Sequence, residues 1–186
     1  MQYDGVLQGS CVALRSVRIA DCTDRYLQWM TDKEVNQYME TRWSVQTLET
    51  IKGFVRRILE SDDSYLFAIL YDGHHVGNAK IGPINRRYSN ADISYFIGEK
   101  SCWGRGVAFE AVSLLTRFGF ECLQLHRLQA GAFCQNIGSQ RVLERNGFVR
   151  EGVAREKYFL SSEADWTDCY EYALLRNEWE AMNETR

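Results

Sequence analysis

The spacing of apolar residues divides the chain into segments of different period. "CVALRSV" (11–17) reads as a strand. "ADCTDRYLQWM" predicts a helix with Asp21 or Thr23 as its cap, and in "TLETIKGFVRRILES" Leu48, Ile51, Val55, Ile58 and Leu59 recur at helical spacing. Each such helix has one apolar face that must pack on something. "SYLFAILYDGHHVGNAKIGPI" then gives β-rich runs around Asp72-Gly73, a hairpin signal, and "ADISYFIG" alternates Ile93, Tyr95 and Ile97 against Asp92, Ser94 and Phe96. An antiparallel meander is predicted here.

From Gly104 the period returns to the helical one. Val107, Ala111, Leu114, Leu115, Phe118 and Cys122 form one stripe, opposite Glu110, Ser113, Arg117 and Glu121. "HRLQAGAFCQ" is the next strand, "NIGSQRVLERNGF" a short helix ended by Asn146-Gly147, and "FVREGVAREKYFL" and "WTDCYEYALL" are two closing strands. The only proline is Pro83, and no repeat or linker divides the chain, so residues 1–186 are expected to form a single domain. The expected class is α/β with a mixed sheet and helices on its faces.

Composition narrows the function. A content of 45% hydrophobic and 13% aromatic residues supports a sizeable core, and a net charge of −3 argues against a broad nucleic-acid-binding surface. No run reaches membrane-spanning length, and "MQYDG" does not resemble a signal peptide, so no membrane partner and a cytoplasmic location are expected. The six cysteines form no C-x-x-C pair and are expected as free thiols, with no metal site. The three histidines fit turn, surface or packing roles, which weakens a Ser-His-Asp reading.

Candidate chemistry lies in "EKSCWGRGVAFEAVSLLTRFGF" (99–120), where a glycine pair opens a helix. Such a place directs unpaired backbone N–H groups and the positive end of the helix dipole at one point, which suits phosphate. Gly104 and Gly106 would let a ligand approach the backbone closely, although a turn needing positive φ accounts for the pair equally well. A thiol at this helix start, Cys102, is expected to be acidified by the dipole and more reactive than the other five.

Together, "YFIGEKSCWGRGVAFEA" and "LHRLQAGAFCQNIGSQRVLERNGF" resemble the acetyl-CoA core of the GNAT superfamily of N-acetyltransferases, in its branch of ribosomal-protein N-terminal (RimJ/RimL-like) enzymes. The resemblance runs from about Leu14 to Trp179. It implies a mostly antiparallel central sheet with one splayed strand pair, helices on both faces, and acetyl-CoA as cosubstrate without a metal. The glycine loop matches the superfamily's pyrophosphate motif at Gly104 and Gly106, with Ser101 where a glutamine or arginine is usual. By this resemblance the pantetheine arm lies along Phe96, Ile97 and Gly98, and the pyrophosphate on the amides of Trp103, Gly104, Arg105, Gly106, Val107 and Ala108. Arg105, Arg141 and Arg145 are candidates for the 3′-phosphate.

The chemistry needs an unprotonated amine, a thioester carbonyl within attack distance and a proton for the departing thiolate. The tyrosine that many superfamily members use as proton donor is Leu143 here. In the ribosomal-protein branch a serine aligned with Ser139 is the suggested acid, with Asn136 contacting the arm. A helix cap at Asn136 with Ser139 as the third residue after it accounts for both residues as well. Asp92 is the candidate base, directly or through water; an exposed strand aspartate that only orients the acceptor is the other reading. Glu110 is expected to support the first helical turn through the dipole. Tyr38, Glu40 and Arg42 sit where early helices would wall the acceptor pocket, beside Trp43.

The resemblance implies transfer of acetyl from acetyl-CoA to a primary amine in a ternary complex, by a monomer or homodimer. The first acceptor expected is a protein N-terminus; a nucleotide-linked amino sugar is second and a polyamine third. A non-catalytic acyl-CoA-binding module is the alternative of another class. A Rossmann-like nucleotide binder fails, because the glycine loop follows a β meander and lacks the third glycine.

Overall fold

The computed structural model describes residues 1–160 and 165–184. Eight strands form one sheet: β1 (Val6–Gln8), β2 (Val12–Ser16), β3 (Tyr65–Tyr71), β4 (His74–Asn85), β5 (Asn90–Ile97), β6 (Arg127–Phe133), β7 (Val149–Leu160) and β8 (Asp165–Leu175). Their order is β1-β2-β3-β4-β5-β6-β8-β7, and every neighbouring pair is antiparallel except β5 with β6. The helices are α1 (Asp24–Thr31), α2 (Lys33–Asn36), α3 (Leu48–Glu60), α4 (Val107–Arg117), α5 (Ile137–Arg145) and α6 (Arg176–Glu184).

Alternation along β3 supplies both faces of the sheet. Leu66 joins Val17, Tyr26, Trp29, Ile51, Val55 and Ile58, which places α1 and α3 over one face. Phe67 and Ile69 join Leu14, Ile81, Val107, Ala111, Leu115 and Phe118, which places α4 over the other. Helix α3 begins where the sequence changes period, with Thr47 and Thr50 bonding each other's backbone N–H groups. Asp72 and Gly73, with φ of 49° and 75°, make the left-handed turn of the β3–β4 hairpin.

Three features depart from the sequence reading. Helix α4 runs into a π-helical segment, Phe118–Cys122, whose wider turn rotates the stripe: Phe118 and Phe120 are buried and Cys122 is exposed. Phe118 packs edge-on to Tyr3, Tyr65 and Phe67 with ring centroids 5.1–5.2 Å apart, and burying a side chain of this size stabilises by about 1.5–3 kcal/mol. Strand β1 has only three residues, too few for a period to register. Helix α6 is anchored from outside its own pattern, by Trp179 against Phe120 and by Arg176 donating to the carbonyls of Phe120 and Leu125.

Candidate active site

Strands β5 and β6 pair only where Asn90, Ala91 and Asp92 meet Arg127, Leu128 and Gln129. Beyond Asp92, β5 stays bonded to β4 as far as Ile97, and β6 stays bonded to β8 as far as Phe133. Each strand is thus held on its outer side while the two part, and the sheet opens into a V. A cavity of about 690 Å³ fills the opening. The Gly98 N–H bonds to the Val76 carbonyl at 2.8 Å. Backbone groups alternate in an antiparallel ladder, so Phe96 and Ser94 also turn theirs toward β4, whereas Ile97 and Tyr95 aim theirs into the split. The Ile97 carbonyl is taken by the Trp103 indole, whose Nε1–H donates at 2.8 Å. Gly98 has a packing role of its own: a Cβ there would stand 2.2 Å from the Trp29 ring.

On one wall of the split stands the start of α5. Asn136 caps it, its Oδ1 accepting from the Ser139 N–H at 3.1 Å. The Ser139 hydroxyl is left free of that cap and meets the Tyr95 hydroxyl at 2.9 Å. Burial pushes the Tyr95 phenol up to about 12, so it stays protonated at neutral pH. Asn136, Ser139, Tyr95 and Leu143 all line the cavity.

The glycine pair lies at the start of α4, outside the cavity wall. Gly104 and Gly106 have φ of 73° and 81°, and Gly106 is a left-handed cap with no side-chain acceptor for the first amides of the helix. A Cβ at either glycine would meet nothing within 4 Å, so the backbone conformation, not crowding, requires glycine in the chain alone. Val107 is buried core, Ala108 half-buried and Arg105 exposed. Arg141 is exposed, and the guanidinium of Arg145 lies 4.5 Å from the Phe109 ring centroid. Glu110 does more than face a dipole: its carboxylate accepts from the Ser10 and Cys11 amides and ties the β1–β2 turn to α4. Cys102 is only 7% exposed, so its thiol is screened rather than presented.

Beside the start of α5, where the Asn136 N–H donates to the Phe133 carbonyl at 2.9 Å, Tyr38 packs against Phe133, and Phe133 stacks on Tyr158 with centroids 4.7 Å apart. Glu40 lies at the rim, its side chain 67% exposed. Arg42 stands behind this wall. Its guanidinium donates to the carbonyls of Met39 and Phe159 and lies over the Trp43 and Phe133 rings, binding the early segment to β7. Asp92 is exposed where the strands part, off the cavity wall, and its Oδ1 accepts from Gln129. The split therefore gathers Phe96, Asn136, Ser139, Tyr38 and Glu40 around one space, and leaves Asp92, Arg42, Arg141 and the glycine loop outside it.

Sequence reasoning passed over Tyr95, Tyr158, Lys80 and Arg57, all on the wall. Tyr95 reads in the alternation as an ordinary inward residue, and only the split gives it a polar partner. Lys80 had one available signal, a lysine inside the β-rich run "VGNAKIGPI".

Comparison with known proteins agrees with this geometry. A family model described as an acetyltransferase (GNAT) domain matches residues 12–149. "Probable N-acetyltransferase YjcK" of Bacillus subtilis is 32% identical over 180 residues, covering 91% of this chain and 97% of that protein. The "[Ribosomal protein uS5]-alanine N-acetyltransferase" of Escherichia coli is 33% identical over 88 residues, 47% of this chain and 43% of its own length. A Vibrio cholerae spermidine N-acetyltransferase, solved with CoA and spermine, superposes with a TM-score of 0.81 over 92% of this chain and 99% of that one, at 18% identity, a likeness of fold. A split sheet, a helix started by a glycine cap without a side-chain acceptor and a matching family model together make this chain a member of the GNAT acetyltransferases, an enzyme that takes its acetyl group from acetyl-CoA.

Proposed function

We propose that the protein acetylates the N-terminal amino group of a protein by direct attack of the amine on acetyl-CoA in a ternary complex. The observation that carries this reading is that one cavity spans both halves of the reaction. The open edge of β5, Asn136 and Ser139 share its wall with Tyr38, Glu40 and Tyr158. Two substrates bound there meet without a covalent enzyme intermediate, and orientation alone can remove about 7–11 kcal/mol of barrier. The pantetheine arm would bond the split edge at Tyr95 and Ile97, the latter after the Trp103 indole gives up its carbonyl, and the pyrophosphate would sit on the amides of residues 104–108. Ser139 would protonate the departing thiolate while Tyr95 orients its hydroxyl; the amine's proton would pass through water toward Asp92. This acid assistance is worth about 10²–10⁴-fold.

The choice of a protein N-terminus is supported by the uS5-alanine enzyme among the relatives. A small amine is the second reading, favoured by the mixed charges on the wall, where Glu40 shares the cavity with Lys80 and Arg57. A non-catalytic acyl-CoA module is disfavoured by the Tyr95–Ser139 hydroxyl pair, which a mere binding pocket has no need to assemble. The test is free CoA release with short Ala- and Ser-starting peptides, nucleotide-linked amino sugars and spermidine. Turnover on peptides supports the first reading; turnover on sugars alone overturns it.

A further inference from the structure

The charges on the cavity wall are unbalanced. Among the described wall residues Glu40 is the one carboxylate, and Lys80 and Arg57 are the two cations. Lys80 projects from β4 beside Ser94 of β5, half-buried, and its ammonium finds one hydrogen bond, to the Gly82 carbonyl at 3.0 Å. Arg57 comes from α3 and stands over the Phe54 ring at 5.6 Å, a shelf that holds the guanidinium without neutralising it. Neither cation has a carboxylate within ion-pair distance among the described residues.

Surrounding acids do not fill the gap. Asp63 and Asp92 both pull the Lys80 ammonium upward against burial and against Arg57, and burial prevails, so its protonation is easier to lose than that of a free lysine. Both acids lie off the cavity wall and are engaged elsewhere, Asp63 by the Ser64 hydroxyl at 2.8 Å and Asp92 by Gln129 at 3.2 Å. Glu40 is held at the rim by Arg42, at 3.4 Å. A polyamine entering this space would bring several positive charges toward two cations and a single carboxylate. A neutral amine would leave Lys80 half-buried, with only the pull of Asp63 and Asp92 from off the wall to offset its burial.

Resting on the reading that this cavity takes the acceptor of acetyl transfer, we propose that the acceptor carries an anionic oxygen group near its reacting amine, and that Lys80 and Arg57 bind that group together. Ammonium and guanidinium then gain charge-assisted bonds to the same oxygens, with the guanidinium fork suited to a carboxylate or phosphate. The group can come from an acidic side chain directly after a protein N-terminus or from a carboxylate or phosphate on a small amine.

Matched acceptors separate these sources: Ser-Glu- against Ser-Gln-starting peptides, and glucosamine 6-phosphate against glucosamine, with spermidine alongside. The anionic member of at least one pair is expected to have a kcat/KM at least 10-fold higher, through KM. Lys80→Met and Arg57→Met are each expected to bring that ratio to within 3-fold while the acetyl-CoA Kd stays unchanged. Independently of turnover, inorganic phosphate titrated into CoA-saturated protein is expected to bind the wild type and not Lys80→Met. Transfer to neutral amines without preference, or a preference that survives both substitutions, overturns the proposal and leaves the acetyltransferase reading standing. Failure of every amine to be acetylated, together with absent phosphate binding, overturns both.

Discussion

The hydroxyls of Tyr95 and Ser139 meet at 2.9 Å across the mouth of the strand split, one from the middle of β5 and the other from the first turn of α5. Asn136 takes the Ser139 amide, so the serine hydroxyl is oriented by the phenol and not by the cap. Tyr95→Phe is expected to lower kcat about 10-fold with little change in acetyl-CoA affinity or Tm, because the ring still fills its place and only the hydroxyl is lost. Ser139→Ala is expected to cost about 10- to 1000-fold in kcat. The two losses should not add, since both act through one hydroxyl. Full activity in Ser139→Ala, with Asn136→Ala lowering only the Tm, would identify the pair as a helix cap.

The order of strands and helices was legible because most elements carry their own period. Thr47 begins α3, Asp72-Gly73 turns the hairpin and Asn146-Gly147 ends α5, all as local chemistry dictates. What escaped was set by distant contacts. The π-helical turn that buries Phe120 in place of Cys122 answers to the packing of Trp179 and Phe118, and α6 to the carbonyls of Phe120 and Leu125. The site divides in the same way. Asn136, Ser139 and the two glycines belong to contiguous motifs, whereas Tyr95 meets its partner 44 residues away and Lys80 faces a helix that precedes it.

The glycine loop separates conformation from ligand approach. Both φ values are positive, so Gly104→Ala or Gly106→Ala should each cost about 1–2 kcal/mol through the left-handed backbone. Space around each missing Cβ is open, so nothing in the protein adds a clash. Acetyl-CoA affinity is expected to fall at least 10-fold in Gly104→Val and Gly106→Val, beyond the loss in the alanine variants. Calorimetry giving equal Kd values for wild type and both valine variants would remove the pyrophosphate from this loop.

Cysteine reactivity should follow exposure rather than the helix dipole. Cys11 and Cys122 are exposed, Cys134 is intermediate, and Cys22, Cys102 and Cys169 are buried, with burial also pushing the Cys22 and Cys169 thiols up. Timed alkylation read by mass spectrometry is expected to label Cys11 and Cys122 first and Cys102 late. Early labelling of Cys102 would mean that the turn before Trp103 opens in solution.

The acid limb of stability should have two steps, both near β2. His75 is packed edge-on against Tyr26 and Trp29, and burial holds its imidazole below the usual value despite the pull of Asp21. A lowered histidine is neutral in the fold and takes up its proton first in the unfolded chain. Its contribution is therefore full above the unfolded value of about 6.5 and is lost as pH falls toward the folded one. Asp21 titrates later. Burial alone would raise its carboxyl, but two bonds from the Arg15 guanidinium at 2.7 Å and one from the Arg18 amide outweigh it and hold it below the usual range. That contribution is complete above about pH 4 and disappears as pH drops through the folded value. Asp21→Asn is expected to cost about 1.5–3 kcal/mol at pH 7, a deficit that shrinks below pH 4, whereas His75→Phe should flatten the wild-type decline between about pH 6.5 and 5 and leave the lower step in place. Thermal melts of the three proteins from pH 3 to 8 read both steps. A single decline, unchanged by either substitution, would mean that neither group controls acid unfolding.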